Sequence, residues 1–146
     1  MGQETIDQWN LDWLVNLACR QTKLWFPEVN LALSRKIISL DRETLGRFIR
    51  WLTGHNFLRR HQNLLDPDTY PSRTCRLCYQ EPETAEHVIA DCITLDPTRR
   101  MHFSTSHLTK PYKWNFEEMK NFLATIAEVM EKEDHMGPIS ILGPAQ

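Results

Sequence analysis

No run of apolar residues in this chain approaches the ~20 needed to cross a bilayer, although hydrophobic residues make up 41% of its 146. No membrane association is therefore expected. The first twelve residues are polar and acidic, so no signal peptide is expected either. The opening Met1-Gly2-Gln3-Glu4-Thr5-Ile6 lacks the Ser or Thr that N-myristoylation requires at the sixth residue. Glycine is scarce, five in all, and nowhere forms a phosphate-cradling loop. No aspartate pair lies on a strand-like segment, as the two-metal sites of polymerases and nucleases require. No Ser-His-Asp constellation and no internal repeat can be read.

Cysteine is also scarce, but three of the four stand with a histidine at metal-ligand spacing. Cys75, Cys78, His87 and Cys92 follow C-x2-C-x8-H-x4-C. Three thiolates and an imidazole make a complete tetrahedral set for one structural Zn²⁺. The two residues between Cys75 and Cys78 let one tight turn bring both sulfurs to the same ion. No position is left open for a water, which argues against a zinc hydrolase. The metal would instead contribute its binding free energy to folding. A reducing compartment is implied, hence an intracellular protein, nuclear or cytoplasmic. Cys19 is left over and is expected as a buried thiol on a helix face. His55 and His61 are expected to fix a bend and to sit at the surface, since the zinc set is complete without them.

The periodicity predicts a mostly α fold. Ile6, Trp9, Trp13, Leu14 and Leu17 predict a helix over 5–18, with its tryptophans in a core or on a docking surface. Residues 19–27 read as a connector stopped by Pro27, and 28–38 as a short helix. Asp41 is an N-cap candidate for a helix over 42–53, with Leu45, Phe48, Ile49 and Leu52 as its apolar stripe. Gly54 breaks the chain and a helix resumes over 56–65, which predicts an αα-hairpin. Glu83-Thr84-Ala85-Glu86 reads as a helix start, with His87 inside the helix and Cys92 near its end. Asp96-Pro97 is expected to end that helix, and 98–113 shows no clear period. Asn115 caps an amphipathic helix over 115–133, with Glu118 at its third position. Its heptad seam is Phe116, Met119, Leu123, Ile126 and Met130. That seam packs on its own domain or forms an interaction surface for a homodimer or a protein partner. A flexible tail is expected over 134–146. The expected organisation is a single helical zinc-binding domain, 1–133, with an embedded CCHC zinc knuckle at 73–95.

Net charge is −2, but residues 35–76 hold nine basic side chains against four acids, leaving −7 on the remainder. The middle of the chain is a basic block between acidic ends.

Leu52-Thr53-Gly54-His55, Leu58-Arg59-Arg60-His61, Cys75-x2-Cys78, Glu83-Thr84-Ala85-Glu86-His87 and Cys92 together resemble the tail of non-LTR retrotransposon polyproteins. Thr22-Lys23-Leu24-Trp25-Phe26-Pro27 and Leu33-Ser34-Arg35-Lys36 resemble the linker leading into it, so the likeness covers about 9–95. In those proteins this tail follows the reverse transcriptase and often a ribonuclease H domain. The resemblance implies the tail without the enzymes, so no catalytic activity is expected. It also implies binding of RNA or single-stranded DNA, with arginines on phosphates and an aromatic on a base. The candidates are Arg73, Arg76 and Tyr79 at the knuckle and Arg47, Arg50, Arg59 and Arg60 on the helices before it. The alternative is a domesticated protein-interaction module in which zinc is purely structural and the useful surface is apolar.

Overall fold

The computed structural model describes residues 2–104, 108, 110 and 112–141, with side chains to 133 in the last helix. Among these the chain is helical and has no strand; an isolated bridge joins Thr74 and Pro82. The helices are α1 (Gln3–Val15), α2 (Arg20–Trp25), α3 (Leu31–Ile38), α4 (Arg42–Thr53), α5 (Arg59–Leu65), α6 (Asp96–His102) and α7 (Phe116–Ile141). Between α5 and α6 lie a π-helical turn, His87–Asp91, and a 3₁₀ turn, Ile93–Leu95. No helix among the described residues is long and apolar enough to cross a membrane.

Helix α4 forms where its capping chemistry places it. Asp41 accepts from the Thr44 hydroxyl at 2.7 Å and the Thr44 amide at 3.0 Å, which holds its carboxyl below the usual range. Gly54 closes the helix at φ 78°, where a β-carbon would meet the Gln21 side chain at 2.8 Å. Phe48, Trp51 and Leu52 are buried, while Ile49 of the expected stripe is half exposed.

Helix α7 is the spine of the core. Asn115 accepts from the amides of Glu117 and Glu118 at 2.9 and 3.1 Å, while the Glu118 carboxylate turns to the Ser104 amide. Met119, Phe122, Leu123 and Ile126 are completely buried and Met130 nearly so, with α4 and α6 packed against the helix. The expected interaction surface of Phe116, Met119, Leu123, Ile126 and Met130 is thus corrected: it is the domain's own core. Only Phe116 stays half-buried, its ring 5.5 Å from Phe48. The backbone is helical to Ile141, past the expected end at 133, and 142–146 of the expected tail lie outside the described residues.

Helices α4 and α5 follow one another across the Gly54 turn, and α4 packs mainly on α2, α3 and α7. Other expectations are also revised. The connector over 19–27 contains α2, held because Trp25 is buried and stacks on Tyr112 at 4.5 Å. Pro97 does not stop a helix but starts α6, at a position where its missing amide costs nothing. Helix α1 buries none of its residues. It is tethered where Trp13 donates to the Phe26 carbonyl at 2.8 Å and Asn10 accepts from the Val29 amide at 2.7 Å. Cys19 is exposed, in a left-handed conformation at the head of α2, not buried on a helix face.

Candidate metal centre

Residues 73–75 and 81–83 run antiparallel and frame the knuckle. The Cys75 amide donates to Glu81 O at 2.8 Å and the Glu83 amide to Arg73 O at 2.7 Å. The intervening turn closes when the Tyr79 amide donates to Cys75 O at 2.9 Å. Tyr79 takes φ 56°, a left-handed conformation uncommon for a tyrosine. The nearby amides of Cys78 and Leu77 favour the thiolate form of Cys75.

The second half of the site depends on the π-helical turn. Five positions on in an α-helix lie about 140° away around the axis, which would turn Cys92 from His87. The i→i+5 pattern widens the turn instead, and the Cys92 amide donates to His87 O at 2.6 Å. The His87 amide is capped by the Thr84 hydroxyl at 3.0 Å. Val88 and Ile89 on the same turn are completely buried, so the core and the site share this element. In the 3₁₀ turn that follows, the Leu95 amide donates to Cys92 O at 3.1 Å, and the amides of Thr94 and Leu95 favour the thiolate form of Cys92.

The donor atoms of Cys75, Cys78, His87 and Cys92 all lie within 4.8 Å of one another. Cys75 Sγ and Cys92 Sγ are 3.9 Å apart, and Cys78 Sγ and His87 Nε2 3.3 Å. A tetrahedron with metal–sulfur bonds of about 2.3 Å and metal–nitrogen bonds of about 2.0 Å has edges of about 3.8 and 3.5 Å. The four residues therefore fit one tetrahedral ion. The sulfurs are too far apart for a disulfide. Cys75 and Cys92 are completely buried, His87 is buried, and Cys78 is half-buried. The Cys75–Cys92 hydrogen bond, with burial, pushes the Cys75 thiol well up, and the same bond draws Cys92 down to about 7.

Two buried charged groups brace this site, the Glu83–Arg76 ion pair and Arg99, and the sequence alone marked neither for that role. Glu83 is completely buried. Its carboxylate accepts from Arg76 Nη2 at 2.6 Å, Arg76 Nε at 3.0 Å, the Arg76 amide at 2.8 Å and the Arg59 amide at 2.9 Å. Arg76 also donates to Phe57 O at 3.1 Å. Expected as a nucleic-acid contact, Arg76 is corrected to an internal strut, since a guanidinium with 5% exposure on a buried carboxylate cannot reach a phosphate. The second group is Arg99, also buried. It donates to Cys92 O, and more weakly to Val88 O and Ile89 O at 3.4 and 3.5 Å. Burial pushes its guanidinium down from its ordinary value, opposed by the nearby charges of Asp96, Cys92 and Asp91.

The other nominated residues are scattered around the metal set. Arg59 is half-buried and donates to Thr74 O at 3.2 Å. Arg73 is exposed, with its Nε on Asn63. Arg50, Arg60 and Tyr79 are exposed, and Arg47 pairs with Glu43 at 3.4 Å. Arg60 lines a cavity of about 530 Å³ that includes Cys78 and His87 on one wall. Arg47 and Arg50 line a separate cleft of about 280 Å³ with Asn56 and Phe57. His55 and His61 stand edge to face at 5.7 Å and lie outside the four-residue metal set. Compared with models of known protein families, with curated proteins and with solved structures, the chain matches none.

Proposed function

We propose that this chain is a non-catalytic zinc module that binds RNA or single-stranded DNA through arginines and exposed aromatics. Zinc is the ion that the donor set suits, because three thiolates and an imidazole at tetrahedral spacing favour a borderline-soft d¹⁰ cation. The four protein ligands complete its coordination, so the ion holds the fold and activates no water.

The observation that carries the nucleic-acid reading is the cleft between α4, the segment before α5, and α7. Phe57 is 74% exposed at its edge, beside Arg47 and Arg50. An aromatic face flanked by guanidinium groups is the arrangement that stacks a base while neutralising the adjoining phosphates. Arg60, Arg73 and Tyr79 extend the same chemistry onto the knuckle. The resemblance to retrotransposon tails supports this reading as well. A second reading, a protein-interaction module, is favoured by α1, where Trp9, Leu11, Leu14 and Val15 are all exposed.

The test is a titration of the zinc-loaded chain with labelled single strands and hairpins at about 50 and 200 mM salt. For each phosphate of a single strand that a substitution leaves unneutralised, the log–log salt slope should flatten by about 0.7. Arg47→Glu with Arg50→Glu should therefore flatten it by roughly 1.4 and weaken binding, with zinc retained. Phe57→Ala should weaken binding with little change in slope. Unchanged affinity in both variants, or no binding of the parent at low salt, would refute the reading and turn the search to partners of α1.

A further inference from the structure

Two arginines are buried beside the metal centre, and their charge balance differs. Arg76 has the Glu83 carboxylate. Arg99 has no carboxylate within ion-pairing distance among the described residues. Asp96, the acid that opens α6, is bridged to Arg100 at 2.8 Å, and Asp91 is exposed. The partners of Arg99 are carbonyl oxygens: Cys92 O, Val88 O and Ile89 O. These satisfy hydrogen bonds but supply no full negative charge. Asp96 and Asp91 are near enough to favour its charge, but a buried cation with no direct ion-pair partner is costly and is seldom kept.

On the reading proposed above, in which these four residues hold a divalent ion, a counter-charge is available in the ligand set itself. A divalent ion with three thiolates and one neutral imidazole carries a single net negative charge. Two of the three sulfurs, on Cys75 and Cys92, are completely buried, so water screens that charge poorly. Arg99 reaches the same short segment, 88–92, that presents His87 and Cys92 to the ion.

We propose that Arg99 is the counter-ion of the metal centre: a positioning residue whose buried positive charge neutralises the excess thiolate charge while its hydrogen bonds hold the Cys92 end of the π-helical turn. Charge neutralisation makes a further demand that capping alone would not. The benefit of Arg99 must disappear when the centre is made neutral by exchanging one thiolate for an imidazole. Cys78 is the ligand to exchange, because it is half-buried and borders the open cavity.

The experiment measures zinc affinity of the full chain by competition with a chelator. The variants are Arg99→Gln, Arg99→Lys, Cys78→His, and Cys78→His with Arg99→Gln. Arg99→Gln should weaken zinc binding roughly 10–100-fold, the range for an outer-shell partner. Arg99→Lys, which keeps the charge and loses the fork, should recover most of that. In the Cys78→His background the same Arg99→Gln change should cost less than about threefold, since the coupling is then gone. An equal loss in the two backgrounds, or Arg99→Lys as weak as Arg99→Gln, would overturn the proposal. If Arg99→Gln does not fold with zinc, the doubly substituted chain decides: zinc-dependent folding supports the proposal and failure to fold overturns it. If Cys78→His alone binds no zinc, the comparison of Arg99→Lys with Arg99→Gln decides on the same criterion.

Discussion

Replacing Glu83 by Gln exchanges one oxygen for an NH₂ group and should be among the most damaging near-isosteric substitutions in the chain. The side chain keeps its size, so no cavity opens. What changes is charge and hydrogen-bond polarity. The native carboxylate accepts from three nitrogens of Arg76 and from the Arg59 amide, and both ionic side chains are at least 95% buried. A glutamine there offers one acceptor and one donor, and the donor faces other donors. The Arg76 guanidinium is left buried without a counter-charge, for which breaking one partner of a buried pair costs about 3–5 kcal/mol. For a chain of this length that is roughly 10–20 °C in Tm at constant metal loading. The assay is thermal or urea unfolding of the zinc-saturated protein, with Glu86→Gln as control. Glu86 is partly exposed and binds the Tyr112 hydroxyl and Lys110, so its change should cost no more than about 1 kcal/mol. The companion variant Arg76→Met with Glu83→Leu removes both charges and should be less destabilised than Glu83→Gln alone. A Glu83→Gln loss below about 1 kcal/mol, or a double variant as damaged as the sum of its parts, would refute the strut.

Two further outcomes follow from the structure. Metal affinity should fall as pH is lowered, because Cys75, pushed up, and Cys92, held near 7, must both lose their protons before the ion can bind. The sign is fixed by that release: acid supplies the competing protons, so a chelator-competition affinity that is flat or rises from pH 8 to about 6 would contradict the ligand assignment. Ile126→Asp buries an unpaired carboxylate in the core and should unfold the domain outright. A folded variant that differs only in solution mass would show that α7 is an interface after all.

What was legible in the sequence was local. Asp41 and Asn115 announced their helices because a cap is a contact between a side chain and an amide two or three residues on. The bounds of α4 were readable for the same reason, with Gly54 supplying the left-handed stop. The four metal ligands were readable because their spacing is itself the chemistry. Where the partner is distant, the sequence was mute. Nothing local distinguishes Glu83, completely buried, from the partly exposed Glu86 three positions on. Arg76 looked like a member of the basic block and Arg99 carried no signal, yet each is withdrawn into the interior by groups seven or more residues away. Charge reversal at Arg76 would thus unfold the knuckle and imitate an effect on binding. Helix α2 is too short to show a period and exists because Trp25 packs on Tyr112. The tryptophan helix α1 has a readable apolar period, but periodicity does not say whether that face is covered, and here it is not.

The most direct test of the central claim is a Co²⁺ titration of the reduced, metal-free chain, followed by visible absorption. One ion held by Cys75, Cys78, His87 and Cys92 should give the intense absorption of tetrahedral thiolate-bound cobalt. The signal should saturate at one equivalent, disappear on addition of zinc, and be lost in Cys78→Ser. A weak octahedral spectrum, or a full signal that survives Cys78→Ser, would show that these four residues do not form the metal centre.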